Sequence, residues 1–194
     1  PTHMVQDGGR YWIFTTGNGI WNMSATTPEF SNWRAEPLVF PSGTWPAWIN
    51  SYVPDFAGTF WAPEIIFMNG KWHLYYSCST FGSQRSAIGL VTSPSISNPN
   101  WEDQGMVVWS NNTWNVNAID PDIFRDNDGR IWLLYGSFWN GIVITELDSA
   151  SGKPIDPYNL HYVANNRCEA GHVISHGDYY YLFFNRGACC KGIH

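Results

Sequence analysis

Residues 117–139, NAIDPDIFRDNDGRIWLLYGSFW, constrain the fold most, because their pattern recurs along the chain. Asp120-Pro121 opens an apolar run with Ile123 and Phe124, residues 126–129 (DNDG) make a polar turn, and residues 130–135 (RIWLLY) return as a second strand. Turn residues between β-branched and aromatic runs predict a hairpin. Related hairpins are predicted at residues 1–16, 63–77 and 170–185, turning at Asp7-Gly8-Gly9, Asn69-Gly70 and Gly177-Asp178. The turn glycines Gly9, Gly70, Gly129 and Gly177 recur every roughly 50–60 residues, and a period of that length filled with short strands marks the blades of a β-propeller.

The repeat isolates one column. Counted back from the turn glycines, Pro1, Pro63, Pro121 and Ala170 mark equivalent points, so Ala62, Asp120 and Glu169 stand together just before them. The first member of that column falls before Pro1. The first strand of a propeller blade lines the central channel, so carboxylates from separate repeats converge near the axis, an arrangement suited to general acid/base chemistry.

Two stretches complete each repeat. Residues 1–60, 61–115 and 116–166 read as three blades, and a fourth begins at 167 and is incomplete. In the first, residues 33–40 (WRAEPLVF) are expected as an edge strand that tolerates its proline. Residues 41–59 form a long aromatic connection, expected either to pack on the domain or to line a binding site. Three and a half blades cannot close a ring, so the remaining blades are expected from further sequence or from another polypeptide.

Composition narrows the partners. Aromatic residues make up 17% of the 194 residues, with 12 Trp, while charged residues make up 13%. This suits a sugar-facing all-β protein. Ten basic residues against 16 acidic ones, a net charge of −6, argue against nucleic acid or an anionic membrane as partner. No apolar run is long enough for a transmembrane helix. The four cysteines lack metal-ligand spacing; adjacent Cys189 and Cys190 either close a vicinal disulfide or remain buried thiols.

The segments FWAPEI, STFGSQRSAIGLVTS, NAIDPDIF, YGSFW and CEAGHV, followed by GDYYYLFFNRGACCKG, resemble glycoside hydrolase family 43, in particular its arabinan endo-1,5-α-L-arabinanases. The resemblance covers essentially the whole chain. It implies a five-bladed β-propeller, of which this chain supplies about three and a half blades, that hydrolyses α-1,5-linked L-arabinofuranose chains with inversion. It maps the general acid to Glu169 and the carboxylate that orients the acid and tunes its pKa to Asp120. The general base corresponds to an Asp directly before Pro1, outside these residues. The resemblance further implies secretion or a periplasmic location, and a channel ion such as calcium held in part by a late His beyond His194. No metal ligand is assigned within the chain, and the chemistry itself needs no cofactor. CEAGHV departs from relatives that carry Pro after Glu-Ala, which places Gly171 there.

Inversion requires an acid that keeps its proton near neutral pH and a base that activates water, about 6.5–9.5 Å apart. Candidate sugar contacts are Trp61 and Phe81, by stacking, and Asn117, Ser137 and Trp139; core packing is the competing role for such aromatics. Arg85 is expected either to pair with a channel carboxylate or to bridge blades. Among the histidines, His172 stands three residues from Glu169. Rival readings are α-L-arabinofuranosidase or β-xylosidase activity on the same fold, and a catalytically silent carbohydrate-binding propeller fragment.

Overall fold

The computed structural model describes residues 1–29, 32–114, 116–165 and 167–187. Its elements in chain order begin with β1 (Val5–Asp7), β2 (Arg10–Thr15), β3 (Gly17–Asn18), β4 (Trp21–Ala25) and β5 (Arg34–Ala35). A five-residue helix, α1 (Trp48–Tyr52), lies in the long connection, followed by β6 (Thr59–Met68), β7 (Lys71–Cys78), β8 (Ser86–Ser93) and β9 (Glu102–Ser110). Next come β10 (Asp122–Arg125), β11 (Ile131–Tyr135), β12 (Ile142–Asp148), β13 (Lys153–Pro154) and β14 (His161–Ala164), then β15 (Cys168–His176) and β16 (Tyr179–Arg186).

The strands form antiparallel sheets in the order β1-β2-β4-β5, then β3-β6-β7-β8-β9, then β10-β11-β12 with both β13 and β14 on the far side of β12, and finally the pair β15-β16. All four predicted hairpins are present. Their turns follow from residue type: Gly8-Gly9 and Asn69-Gly70 hold positive φ at both central positions, the two-residue turn whose twist matches that of the strands. The longer third turn is closed by Asp126, whose carboxylate accepts the backbone N–H groups of Asp128 and Arg130.

Consecutive sheets bury their faces against each other. Leu74, Tyr76 and Cys78 of β7 face a core with Phe14, Ile65, Ala87 and Val91, while Tyr75 between them faces Ile88, Leu90, Ile131, Leu133 and Tyr135. Strands covered on both sides are apolar along their whole length, which is why KWHLYY and SAIGLV run with little alternation. Gly89 leaves room for this packing, since a Cβ there would come within 2.5 Å of the Tyr76 ring. Against the fourth hairpin the core is small, built on Leu134, Ile142 and Cys168. Much of β16 is accordingly exposed, with Tyr179, Tyr180, Tyr181, Phe183 and Phe184 all open.

Two expectations change in detail. The strand foreseen at 33–40 narrows to Arg34–Ala35 because Pro37 has no N–H to give, although Glu36, Val39 and Phe40 still donate to carbonyls of Asn22, Ile20 and Gly19. The aromatic connection takes the packing alternative: Ile49, Val53 and Phe56 are buried in the first core, and none of its residues lines the cleft described below.

Candidate active site

The inner strands of the second and fourth sheets are interrupted near their start. Register shifts by one residue between Trp61 and Glu64 and again between Glu169 and His172. Ala62, Asp120 and Ala170 all take left-handed φ values of 35°, 57° and 51°. Such bulges re-aim side chains at sheet ends. Their register makes Ala170, and not Glu169, the counterpart of Ala62 and Asp120, while Glu169 stands level with Trp61. The column counted from the glycines is therefore one residue out in the fourth hairpin. The cause lies in its turn: with His176 paired to Tyr179, Gly177 is the first of two turn residues, whereas Gly70 is the second.

Asp120 and Glu169 nonetheless meet in one cleft of about 910 Å³. All five predicted contact residues line it: Trp61, Phe81, Asn117, Ser137 and Trp139. Phe81 is 82% exposed on the turn after β7, so core packing does not account for it. Asn117 and Ser137 are buried and present only a polar edge. Thr16, Thr80, Ser83, Ile119, Phe138 and Arg167 also line the cleft and were not foreseen. Arg85 takes neither predicted role: it is exposed, lines neither cleft nor channel, and among the described residues forms no ion pair. Backbone strain clusters at the cleft, where Asp120, Phe138, Trp139 and Arg167 all hold positive φ. Such conformations cost about 1–3 kcal/mol each and concentrate at functional sites.

Hydroxyls from the end of one hairpin reach the start of the next. Thr16 Oγ1 accepts the Ala62 N–H at 3.1 Å, Ser77 Oγ accepts the Asp120 N–H at 3.0 Å, and Ser137 Oγ donates to Glu169 Oε2 at 3.3 Å. The Ala170 N–H donates to Asp120 Oδ2 at 3.2 Å, tying the two carboxylate-bearing strands together. Burial pushes the Asp120 carboxyl up to about 6, with a further rise from the Glu169 charge; the Ala170 N–H pulls the other way. A carboxyl near 6 beside a second one, in an aromatic cleft, is a setting for proton transfer close to neutral pH.

One layer further along the channel, a second cavity of about 320 Å³ is lined by His3, Glu64, Asp122 and His172. Here His3 Nδ1 pairs with Glu64 Oε1, and His172 Nδ1 with Asp122 Oδ1 at 2.8 Å. Both imidazoles are raised above their ordinary value, first of all by these carboxylate hydrogen bonds. The paired groups leave little for a cation. Asp122 spends both oxygens on N–H donors, and among the described residues no three His, Cys, Asp or Glu side chains are grouped to hold a metal. The described residues do not form a calcium cage, and no step below uses one.

Cys78 and Cys168 are buried, and the Cys168 Sγ donates to the Asn165 carbonyl. Cys189, Cys190 and His194 lie outside the described residues. Gly171 sits where a Cβ would meet Leu134 Cδ2 at 2.5 Å, so a larger residue there requires the Leu134 side chain to move.

With this geometry in place, comparison with known proteins is informative. The extracellular endo-α-(1→5)-L-arabinanase 1 of Bacillus subtilis (strain 168) is 38% identical over 200 residues, covering 100% of this chain and 60% of the relative. The extracellular exo-α-(1→5)-L-arabinofuranosidase ArbA of Cellvibrio japonicus is 36% identical over 210 residues, 97% of this chain and 58% of the relative. The chain thus spans about three fifths of the length of these curated relatives. The solved structure of native Bacillus subtilis arabinanase Arb43A superposes with a TM-score of 0.90 at 38% identity, over 100% of this chain and 67% of that one. The fold is that of a five-bladed β-propeller, represented in the described residues by three sheets and the first hairpin of a fourth. The sequence pattern of glycosyl hydrolases family 43 matches residues 1–194, and the chain belongs to that family.

Proposed function

We propose that the cleft hydrolyses α-1,5-linked L-arabinofuranose chains of arabinan, with inversion, in a secreted protein. The observation that carries this reading is the meeting of Asp120 and Glu169, from separate sheets, in one aromatic-rimmed cleft. Glu169 is assigned as the general acid, delivering its proton to the departing glycosidic oxygen. Ser137 donates to one Glu169 oxygen and so fixes the carboxyl plane. Asp120 is assigned as the group that orients the acid and tunes its proton affinity, since it is locked to the adjacent Ala170 N–H. The water-activating base is assigned to the carboxylate position directly before Pro1; Asp120 and Glu169 are the only carboxylates lining the cleft among the described residues. A polysaccharide is a fitting substrate because the cleft is open and its rim carries Trp61, Phe81 and Trp139, whose faces match the apolar faces of sugar rings.

Endo action is the reading favoured here, and the rim supports it. Phe81 and Trp139 stand exposed at the cleft mouth, so that more than one ring can be held at a time. The similarity to both an endo-arabinanase and an exo-arabinofuranosidase keeps release of single sugars as the competing outcome.

The test is product analysis on linear α-1,5-arabinan, with the protein and its Glu169→Gln variant. Short oligosaccharides of inverted anomeric configuration from the parent, and a loss of about 10²-fold or more in turnover with retained arabinan binding in the variant, are expected. Turnover unchanged by Glu169→Gln refutes the assignment of the acid, and monosaccharide as the sole product refutes endo action.

A further inference from the structure

We propose that Asp122 is a positioning residue for this chemistry, holding the strand that carries Glu169 in fixed register with the strand that carries Asp120. The inference rests on the hydrolase reading above. It concerns a residue that touches no part of the cleft.

Among the described residues, strand β15 is held laterally by β16 alone and shares no ladder with β10 or β11. Its bulge removes regular pairing between Glu169 and His172. The place of Glu169 relative to Asp120 therefore depends on a few cross-sheet bonds. Three bracket it: the Phe138 N–H donates to the Cys168 carbonyl at 2.9 Å, the Ala170 N–H to Asp120 Oδ2 at 3.2 Å, and the Val173 N–H to Asp122 Oδ2 at 2.9 Å. Asp122 adds a fourth, since its other oxygen, Oδ1, accepts from His172 Nδ1 at 2.8 Å. It is the one side chain here that grips β15 with both oxygens, on adjacent residues, just past the bulge.

Burial makes the grip obligatory. Asp122 is 3% exposed, and a carboxylate so placed must keep both oxygens satisfied. The related pair in the first two sheets lacks this geometry, because Glu64 meets His3 and then accepts the N–H of its own neighbour Ile65. The two-point clamp is found, among the described residues, only where the two carboxylate-bearing strands meet. Asp122 follows Asp120 by two residues and His172 follows Glu169 by three, so any slack in the clamp is felt directly as misplacement of the reacting groups.

The decisive variant is Asp122→Asn. Its amide oxygen can keep the Val173 N–H, but its NH2 group meets the Nδ1–H of a protonated His172 donor to donor, so at a pH where His172 is charged the two-point grip is lost. On arabinan, kcat is expected to fall about 10- to 100-fold with KM within about twofold, the signature of lost alignment. His172→Ala removes one anchor on a half-exposed residue and is expected to give a smaller loss in kcat. His172→Gln, which keeps an N–H donor, is expected to recover part of it. A second readout does not need turnover: in His172→Ala, where loss of the imidazolium charge alone would raise it, the carboxyl carbon of Asp120, followed by NMR, should titrate below the parent's value of about 6, as Glu169 withdraws and water enters. Unchanged kcat and an unmoved Asp120 titration, with only a lower Tm, overturn the proposal. Should the parent cleave no arabinan, the hydrolase reading fails by itself, and the Asp120 titration in His172→Ala still decides whether the clamp sets the relation of the two carboxylates. If Asp122→Asn does not fold, the two His172 variants carry both readouts.

Discussion

Replacing Asp120 by Asn should stabilise the fold while it destroys the chemistry. In the folded protein the Asp120 carboxyl is pushed from 3.8 to about 6, first by burial and then by the Glu169 charge. A carboxyl raised in this way contributes its full stability below 3.8, where folded and unfolded chains both hold the proton, and loses it as pH rises through about 6. The gap corresponds to about 3 kcal/mol of opposed ionisation at pH 8. Water in the open cleft screens part of that, so about 1–3 kcal/mol is expected. The amide carries no charge, its oxygen can still accept the Ala170 N–H, and Asn adopts the left-handed backbone of this position (φ 57°) without added strain. Thermal melts of parent and variant at pH 4 and pH 8 provide the assay. The variant should match the parent at pH 4 to within its backbone preference and exceed it at pH 8 by about 2–10 °C. Turnover should fall by about 10²-fold or more at both. A Tm difference that is the same at the two pH values refutes the argument, since only the charge of Asp120 makes it pH-dependent.

Two other substitutions separate the cleft from the scaffold. Phe81→Ala should weaken binding of arabinan oligosaccharides about 2- to 10-fold by titration calorimetry and leave Tm unchanged, because the ring is exposed and contributes no core packing. Asp7→Ala should do the reverse: its carboxylate accepts from Trp72 Nε1, Ser95 Oγ and the N–H groups of Ile96 and Ser97, binding the first hairpin to the second sheet. Loss of these bonds should cost about 2–4 kcal/mol in a urea melt at pH 7. Burial raises the Asp7 carboxyl, but the Ser97, Ser95 and Trp72 donors outweigh it and hold the group below its ordinary value. That stabilisation is present above the unfolded value of 3.8 and is lost as pH falls through the lower folded one, so parent and variant should converge in strong acid.

The scaffold was legible because its hairpins are specified locally. Gly8-Gly9, Asn69-Gly70 and Gly177 sit at turns that need positive φ, and the apolar runs beside them fix which residues pair. The cleft was legible for a related reason: Trp61, Phe81, Asn117, Ser137 and Trp139 are aromatic or polar residues at the ends of those hairpins, where propeller strands meet the channel mouth. The short helix α1 was not, since Trp48–Tyr52 carries no side-chain cap and its one buried residue, Ile49, gives no helical period.

The single-residue error in the carboxylate column has a more general cause. Counting from a turn assumes that the glycine holds the same place in every turn, but Gly177 opens its turn where Gly70 closes its own, so the count in the fourth hairpin lands one residue early. Pro63 and Pro121 follow the left-handed residue in two repeats and mark its place in the sequence; Gly171 stands there in the fourth and carries no such mark. The same irregularity separates the two carboxylates by role. At Asp120 the chain is in the left-handed turn itself, so the side chain is drawn back to accept the Ala170 N–H and is buried. Glu169, one position earlier in register, is still on the paired strand opposite Asn185 and extends a longer side chain into the open cleft. Were both residues on one register, they would share one environment; the offset gives one carboxyl a fixed, shielded seat and the other reach toward the substrate.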